Sequence, residues 1–274
     1  MEAERVAARL WPGRNVVLEP LGGGITNRNF KVSFDGETLV LRIGGKDTSL
    51  LGIDRRAEHA ASLLASRLGI GPEVVAFVEP EGFLLTRFID GRPIEPDAMP
   101  IGDVARTLRR VHAAEPIPSR FDSFRVVEEY RRTAEERGVR VPGAYAEAKA
   151  RADQIEASLG PRPVCPCHND LLNGNFIHDG ERLRIVDWEY AGMGDPFFDL
   201  ANFAVNHELD EAGERELLEA YAGEARPALV GLLRKMRFMS DFREAMWGVV
   251  QQGISDLDFD FAGYADEHFE RALR

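Results

Sequence analysis

The first ninety residues alternate apolar and polar positions with the period of extended chain. "NFKVSFD" puts Phe30, Val32 and Phe34 on one side of a strand, and "ETLVLRIG" is a continuous β-type run between Gly36 and Gly44. "FDGE", residues 34–37, sets an Asp-Gly pair between them and predicts a hairpin. "NVVLEPL", just before, is apolar and also extended. The period then changes. In "DRRAEHAASLLASRLG", Ala57, Ala60, Ala61, Leu64 and Leu68 recur at helical spacing, with Asp54 placed as N-cap and Gly69 as stop. "PEVVAFV" and "GFLLTRFI" predict a second antiparallel pair around "EPEG". The pattern breaks at "DGRPIEP", and we place a lobe boundary at residues 88–92. Beyond it the chain is mostly helical, with Val104, Leu108 and Val111 forming one stripe and several long amphipathic segments following. One short hairpin interrupts the helices, "NFIHDGERLRIVDW", turning at Gly180. The fold class is therefore α+β. Residues 1–89 make a small antiparallel β lobe with one helix, residues 90–274 a larger, mainly helical lobe, and a cleft lies between them.

Composition adds exclusions. The formal charge of −12, from 46 acids against 34 bases, argues against a nucleic-acid backbone as partner. It suits a cationic small molecule, although most of the excess serves solubility. No apolar run approaches the ~20 residues of a bilayer span. The N-terminal "MEAERVAARLWPGRN" is charged throughout, unlike a secretory signal, so a cytoplasmic location is expected. Cys165 and Cys167 in "VCPCH" cannot make a disulfide framework, and no second cluster in the sequence completes a tetrahedral metal site with them and His168. Buried packing thiols are the expectation.

The chemistry gathers at "CHNDLLNGNF", residues 167–176, and at Asp187 in "RIVDWEY". The predicted hairpin leaves Asp170 and Asn175 at one mouth and returns Asp187 beside them. Oxygen donors without thiolate or imidazole suit a hard cation such as Mg²⁺, and a carboxylate not on metal can orient and deprotonate a hydroxyl. Phosphoryl transfer from ATP to an alcohol uses this set. The spacing H-x-D-x-x-x-x-N, followed by an aspartate behind an apolar strand, resembles the catalytic loop of kinases. A self-capping Asp/Asn-rich turn is the plain alternative. In the small lobe "LGGGITNRNF" lies between two strand runs, where Gly22, Gly23 and Gly24, then Thr26 and Asn27, can bring backbone amides to phosphates. No helix follows, so it is not a P-loop. Arg42 stands on the next strand at a phosphate-clamping position, with Glu58 on the helix able to pair with it.

With "GGGITNRNF", "LVLRI", "CHNDLLNGNF", "IVDWEYAGMGDPFFDLANF" and "MWGVVQQGISDLDFDFAGYA" together, the chain resembles the choline/ethanolamine kinase family, within the aminoglycoside-phosphotransferase and protein-kinase-like fold, over nearly its whole length. The resemblance implies that Asp170 is the catalytic base, that Asn175 and Asp187 bind Mg²⁺, and that Glu189 helps hold metal or orients the acceptor. It implies that adenine meets the backbone at Arg87, Phe88 and Ile89. His168 would bond the catalytic-loop backbone, and His112 is expected as a helix-end histidine. A quaternary ammonium wants aromatic faces and carboxylates. The candidates are Tyr190, Trp247, Phe259, Tyr264 and Glu189; Trp247 matches the second of two tryptophans that family members often carry three residues apart, and Glu244 stands where the first would be. The expected acceptor is a small cationic alcohol, choline or ethanolamine first. Thiamine, an aminoglycoside or another small alcohol stays open, as does an inactive nucleotide-binding regulatory module.

Overall fold

A computed structural model describes residues 2–22 and 26–274 of the chain. It begins with helix α1 (Glu2–Leu10), then strands β1 (Val17–Leu21), β2 (Asn27–Phe34) and β3 (Glu37–Gly44). Helix α2 (Arg55–Arg67) and strands β4 (Val74–Val78) and β5 (Phe83–Arg87) complete the small lobe. The sheet is antiparallel in the order β1-β2-β3-β5-β4. The Asp-Gly hairpin forms as expected, with Phe34 opposite Glu37 and both Asp35 and Gly36 at positive φ. Asp54 caps α2 by accepting from the amides of Arg56 and Ala57, and Gly69, at φ 67°, follows its end.

The small lobe carries one helix more than the strand-rich pattern suggests. In α1, Ala3 and Val6 are buried against Val32, Phe34, Leu39 and Leu41 of the sheet, and Ala7 is buried as well. Ala3, Val6, Ala7 and Leu10 follow helical spacing, a signal overshadowed by the charges between them.

The chain crosses through β6 (Arg92–Pro93) to helices α3 (Ile101–His112), α4 (Ser123–Glu136) and α5 (Ala144–Ser158). Strand β7 (Cys165–Cys167) leads into the loop that ends at the hairpin of β8 (Phe176–His178) and β9 (Leu183–Ile185). Strand β10 (Gly192–Gly194) pairs with β7, and β6 pairs with β8. Helices α6 (Pro196–Asn206), α7 (Glu211–Ala222), α8 (Pro227–Gln251) and α9 (Phe261–Leu273) close the lobe. Helix α6 was not visible in the periodicity because "PFFDLANFAV" is apolar nearly all round, as suits a helix buried on nearly every face. Its start is marked by Asp195 as N-cap and Pro196 in the first turn.

The apolar clusters do not follow the sequence boundary. One gathers α1 and the sheet. The other fills the helical lobe and takes in Leu51, Ile53, Ala61, Leu64, Ala65 and Ile70 from the segment around α2. Helix α2 therefore belongs to the small lobe by chain order and to the large lobe by packing.

Candidate active site

The loop after β7 is held rigidly from below. Both carboxylate oxygens of Asp199, on α6, accept backbone amides: Oδ2 from His168 at 2.8 Å and Oδ1 from Asn169 at 2.7 Å. One turn on, Asn202 Oδ1 accepts from the Leu171 amide at 2.5 Å. His168 bonds backbone as expected, with Nε2 3.0 Å from the Val186 carbonyl oxygen. These contacts fix Asp170 at the end of a short turn whose backbone amides are held.

Asp170 is 8% exposed. Burial pushes its carboxyl up to about 7, with Arg243 opposing the rise and Glu244 and Asp187 adding to it. Asn175 Nδ2 donates to the backbone carbonyl of Asp170 at 2.8 Å, which leaves Oδ1 as the group it can offer a cation. Asp187 follows β9 at φ 66°, a left-handed backbone that a non-glycine residue holds only where its surroundings impose it. Its Oδ1 accepts from Arg42 Nη1 at 2.7 Å. The hairpin thus brings Asp170, Asn175 and Asp187 to one place.

From the small lobe, Arg42 on β3 donates through the same Nη1 to Glu58 at 2.6 Å, and its Nε lies 3.3 Å from Asn29 Oδ1. Burial works against its charge, and Asp187, Glu58 and Glu189 more than offset this, so the guanidinium is held firmly protonated. Arg55, which the sequence did not single out, completes the bridge. It donates to Glu58 at 2.7 Å, to Asn27 Oδ1 at 2.8 Å and to Glu189 at 3.1 Å. Asn27 Nδ2 also donates to Glu189 Oε2, at 2.8 Å. Burial raises the Glu189 carboxyl to about 8, with Asp187 adding to the rise. Glu189 therefore turns toward the small lobe rather than toward Trp247.

Of the glycine-rich loop, Gly23 and Gly24 lie outside the described residues. Thr26 precedes β2 and Asn27 opens it, and Thr26 lies next to Gly45, where an added Cβ would come within 2.1 Å of the Thr26 carbonyl oxygen, so only glycine fits. At the lobe crossing the Arg87 and Phe88 amides are taken by the carbonyls of Glu73 and Thr38, and the Arg87 side chain reaches Glu37. The Ile89 backbone follows directly.

The aromatic candidates gather on the far side of Asp170. Trp247 Nε1 donates to Tyr190 Oη at 3.0 Å, and Tyr264 Oη donates to Glu244 Oε2 at 2.9 Å. Trp247 meets Phe261 and Tyr264 edge-on, and Phe259 tilts against Phe261 at 45% exposure. Arg243, on α8, was not foreseen. It donates to Glu244 and lies 3.3 Å from Asp170.

The thiols of Cys165 and Cys167 sit 3.9 Å apart. Folding brings His112 and Asp199 beside them, with ligand atoms of His112, Cys167 and Asp199 all within 4.8 Å of one another. His112 is more than a helix end: it contacts Asp199 at 3.0 Å and Tyr221 at 2.8 Å, backing the residue that holds the catalytic loop.

The family model described as "Phosphotransferase enzyme family" matches residues 17–238. A crystal structure of a choline/ethanolamine kinase family protein from Mesorhizobium loti is 32% identical, covers 100% of this chain and 94% of its own, and superposes with a TM-score of 0.84. Protein LicA of Haemophilus influenzae is 29% identical over 74% of this chain, and the match spans only 62% of that relative's length. Ethanolamine kinase 1 of Mus musculus is 25% identical over 96% of this chain and 85% of its own.

Proposed function

The chain belongs to the choline/ethanolamine kinase family within the phosphotransferase enzyme family, and on that premise we propose that it transfers the γ-phosphoryl group of ATP to the hydroxyl of a small amino alcohol, choline or ethanolamine. The observation that carries this reading is the convergence of Asp170, Asn175 and Asp187, with Arg42 reaching Asp187 across the cleft.

In this reading residues 1–89 bind the nucleotide and residues 90–274 bind the acceptor. The loop of Gly22, Gly23, Gly24, Thr26 and Asn27 covers the phosphates, Arg42 pairs with them while Glu58 positions it, and the Arg87–Ile89 backbone faces adenine. Asp170 accepts a hydrogen bond from the acceptor hydroxyl and takes its proton as that oxygen bonds to the γ-phosphorus, with ADP leaving in line. The donors here fit magnesium: the Asp187 carboxylate, the free amide oxygen of Asn175, and Glu189 two residues on, all hard oxygens. When bound, the ion neutralises charge on the transferring phosphates. Tyr190, Trp247, Phe259 and Tyr264 stand on the side of the acceptor's amine, whereas Glu189, turned toward the small lobe, is not among them. Work in the cytoplasm, where ATP is supplied, belongs to the same proposal. Among the described residues no helix is long and apolar enough to cross a membrane.

The test is Asp170→Ala with ADP release measured against an amino-alcohol panel. Turnover is expected to fall about 10²- to 10⁴-fold, the range of a lost general base, while ATP affinity is retained. Activity within a few-fold of the parent would show that the base is misassigned.

A further inference from the structure

A trimethylammonium group donates no hydrogen bond, so a site for it needs an open aromatic face with a carboxylate nearby. Both parts exist beside Asp170, and a side chain of the protein already occupies them. Arg243 is 1% exposed, and its guanidinium carbon lies 4.4 Å from the centroid of the Tyr190 ring. Its Nη1 is shared between Glu244 Oε1 and Asp170 Oδ1. The other Glu244 oxygen is spent on Tyr264, and the Tyr190 hydroxyl on Trp247. Trp247 itself is 7% exposed, so Phe259 is the aromatic candidate that still shows a substantial face. The guanidinium is not there merely to be satisfied, since its Nε and Nη2 are buried with no hydrogen-bond partner.

We infer that Arg243 is a specificity-determining residue that fills the aromatic–carboxylate box from within, closing it to quaternary ammonium acceptors and selecting an amino alcohol whose nitrogen carries N–H donors. This rests on the kinase reading above. A primary ammonium does not need the Tyr190 face. It can donate hydrogen bonds to carboxylate or carbonyl oxygen. A trimethylammonium group has no such alternative. It would have to displace a guanidinium paired with two carboxylates and stacked on a ring, and such displacement falls on binding rather than on the chemical step.

The experiment compares kcat/KM for ethanolamine and choline, read as acceptor-dependent ADP release, in the parent protein and in Arg243→Met combined with Glu244→Gln. The pair is changed together so that Glu244 is not left as a buried charge without its partner, and the loss of the Arg243–Asp170 contact bears on both acceptors alike, so the ratio is the quantity read. The parent is expected to favour ethanolamine by at least about tenfold, a difference of about 1.4 kcal/mol, carried mainly by KM. The double variant is expected to shift the ratio toward choline by at least about tenfold, again through KM. If that variant does not fold, Arg243→Lys keeps a charge near Asp170 but withdraws the planar group from Tyr190, and its ratio should move the same way. A parent that uses choline as well as ethanolamine, or a folded variant with an unchanged ratio, overturns the inference and leaves the kinase reading standing. ATP binding without turnover on any amino alcohol overturns the kinase reading, and this inference with it.

Discussion

Asp170 is a carboxylate largely removed from water, with a cation on one side and two further carboxylates near it. Burial is the dominant influence, and it sets the proton affinity near neutrality. A general base works only when deprotonated, so the sign is fixed: below about pH 7 Asp170 holds its proton and cannot accept another. The profile of kcat/KM should therefore carry an acid limb centred near 7, falling about tenfold per pH unit below it. Asp170→Ala should lose that limb along with its rate. A limb centred below pH 5 would mean that the free enzyme keeps Asp170 ionised, against the environment described. At this scale the sequence was informative where spacing is local. Asp170, Asn175 and Asp187 lie on one hairpin, so their convergence followed from the turn. Arg55 and Arg243 were silent. A charged residue on a helix normally marks the solvated face, and only packing shows that these two point inward.

Helix α6 is the element on which the catalytic loop rests. Asp199 and Asn202 are three residues apart, hence on one helical face, and together they accept three backbone amides, those of His168, Asn169 and Leu171 bracketing Asp170. His112 from α3 steadies Asp199 from behind. Asp199→Asn keeps the shape but turns one acceptor into a donor, so one buried amide loses its partner. The expected cost is about 1–3 kcal/mol of stability. The larger effect should be on rate, with kcat down about 100-fold from the displaced loop, while ATP affinity changes little. Steady-state kinetics and nucleotide titration on the folded variant decide it, and a kcat within threefold of the parent would remove α6 from this role. The helix was hidden in the sequence for the reason that makes it useful: it is packed on nearly all sides, so it lacks the polar stripe that betrays an amphipathic helix. The Asp-Pro at its start was the remaining signal.

At the scale of the molecule the question is what couples the lobes. The break at "DGRPIEP" marked where the sheet stops, and the structure agrees that the last strand of the sheet ends at Arg87. The sequence could show that α2 buries one face, but periodicity does not say against what. Its Leu64 and Ala65 face the core of the helical lobe, while Glu58, on the same helix, carries Arg42 and Arg55. The helix is thus anchored in one lobe and holds the cation that serves the other. Leu64 is 3% exposed, so Leu64→Ala should cost about 2–5 kcal/mol. Because α2 is shared, the two lobes should unfold in one denaturant transition whose midpoint shifts as a unit, with nucleotide affinity weakened as Glu58 loses its fixed position. Separate transitions, with only one of them moved by the substitution, would mean that α2 does not join the lobes and that the Arg42–Asp187 contact is a surface meeting of two independent bodies.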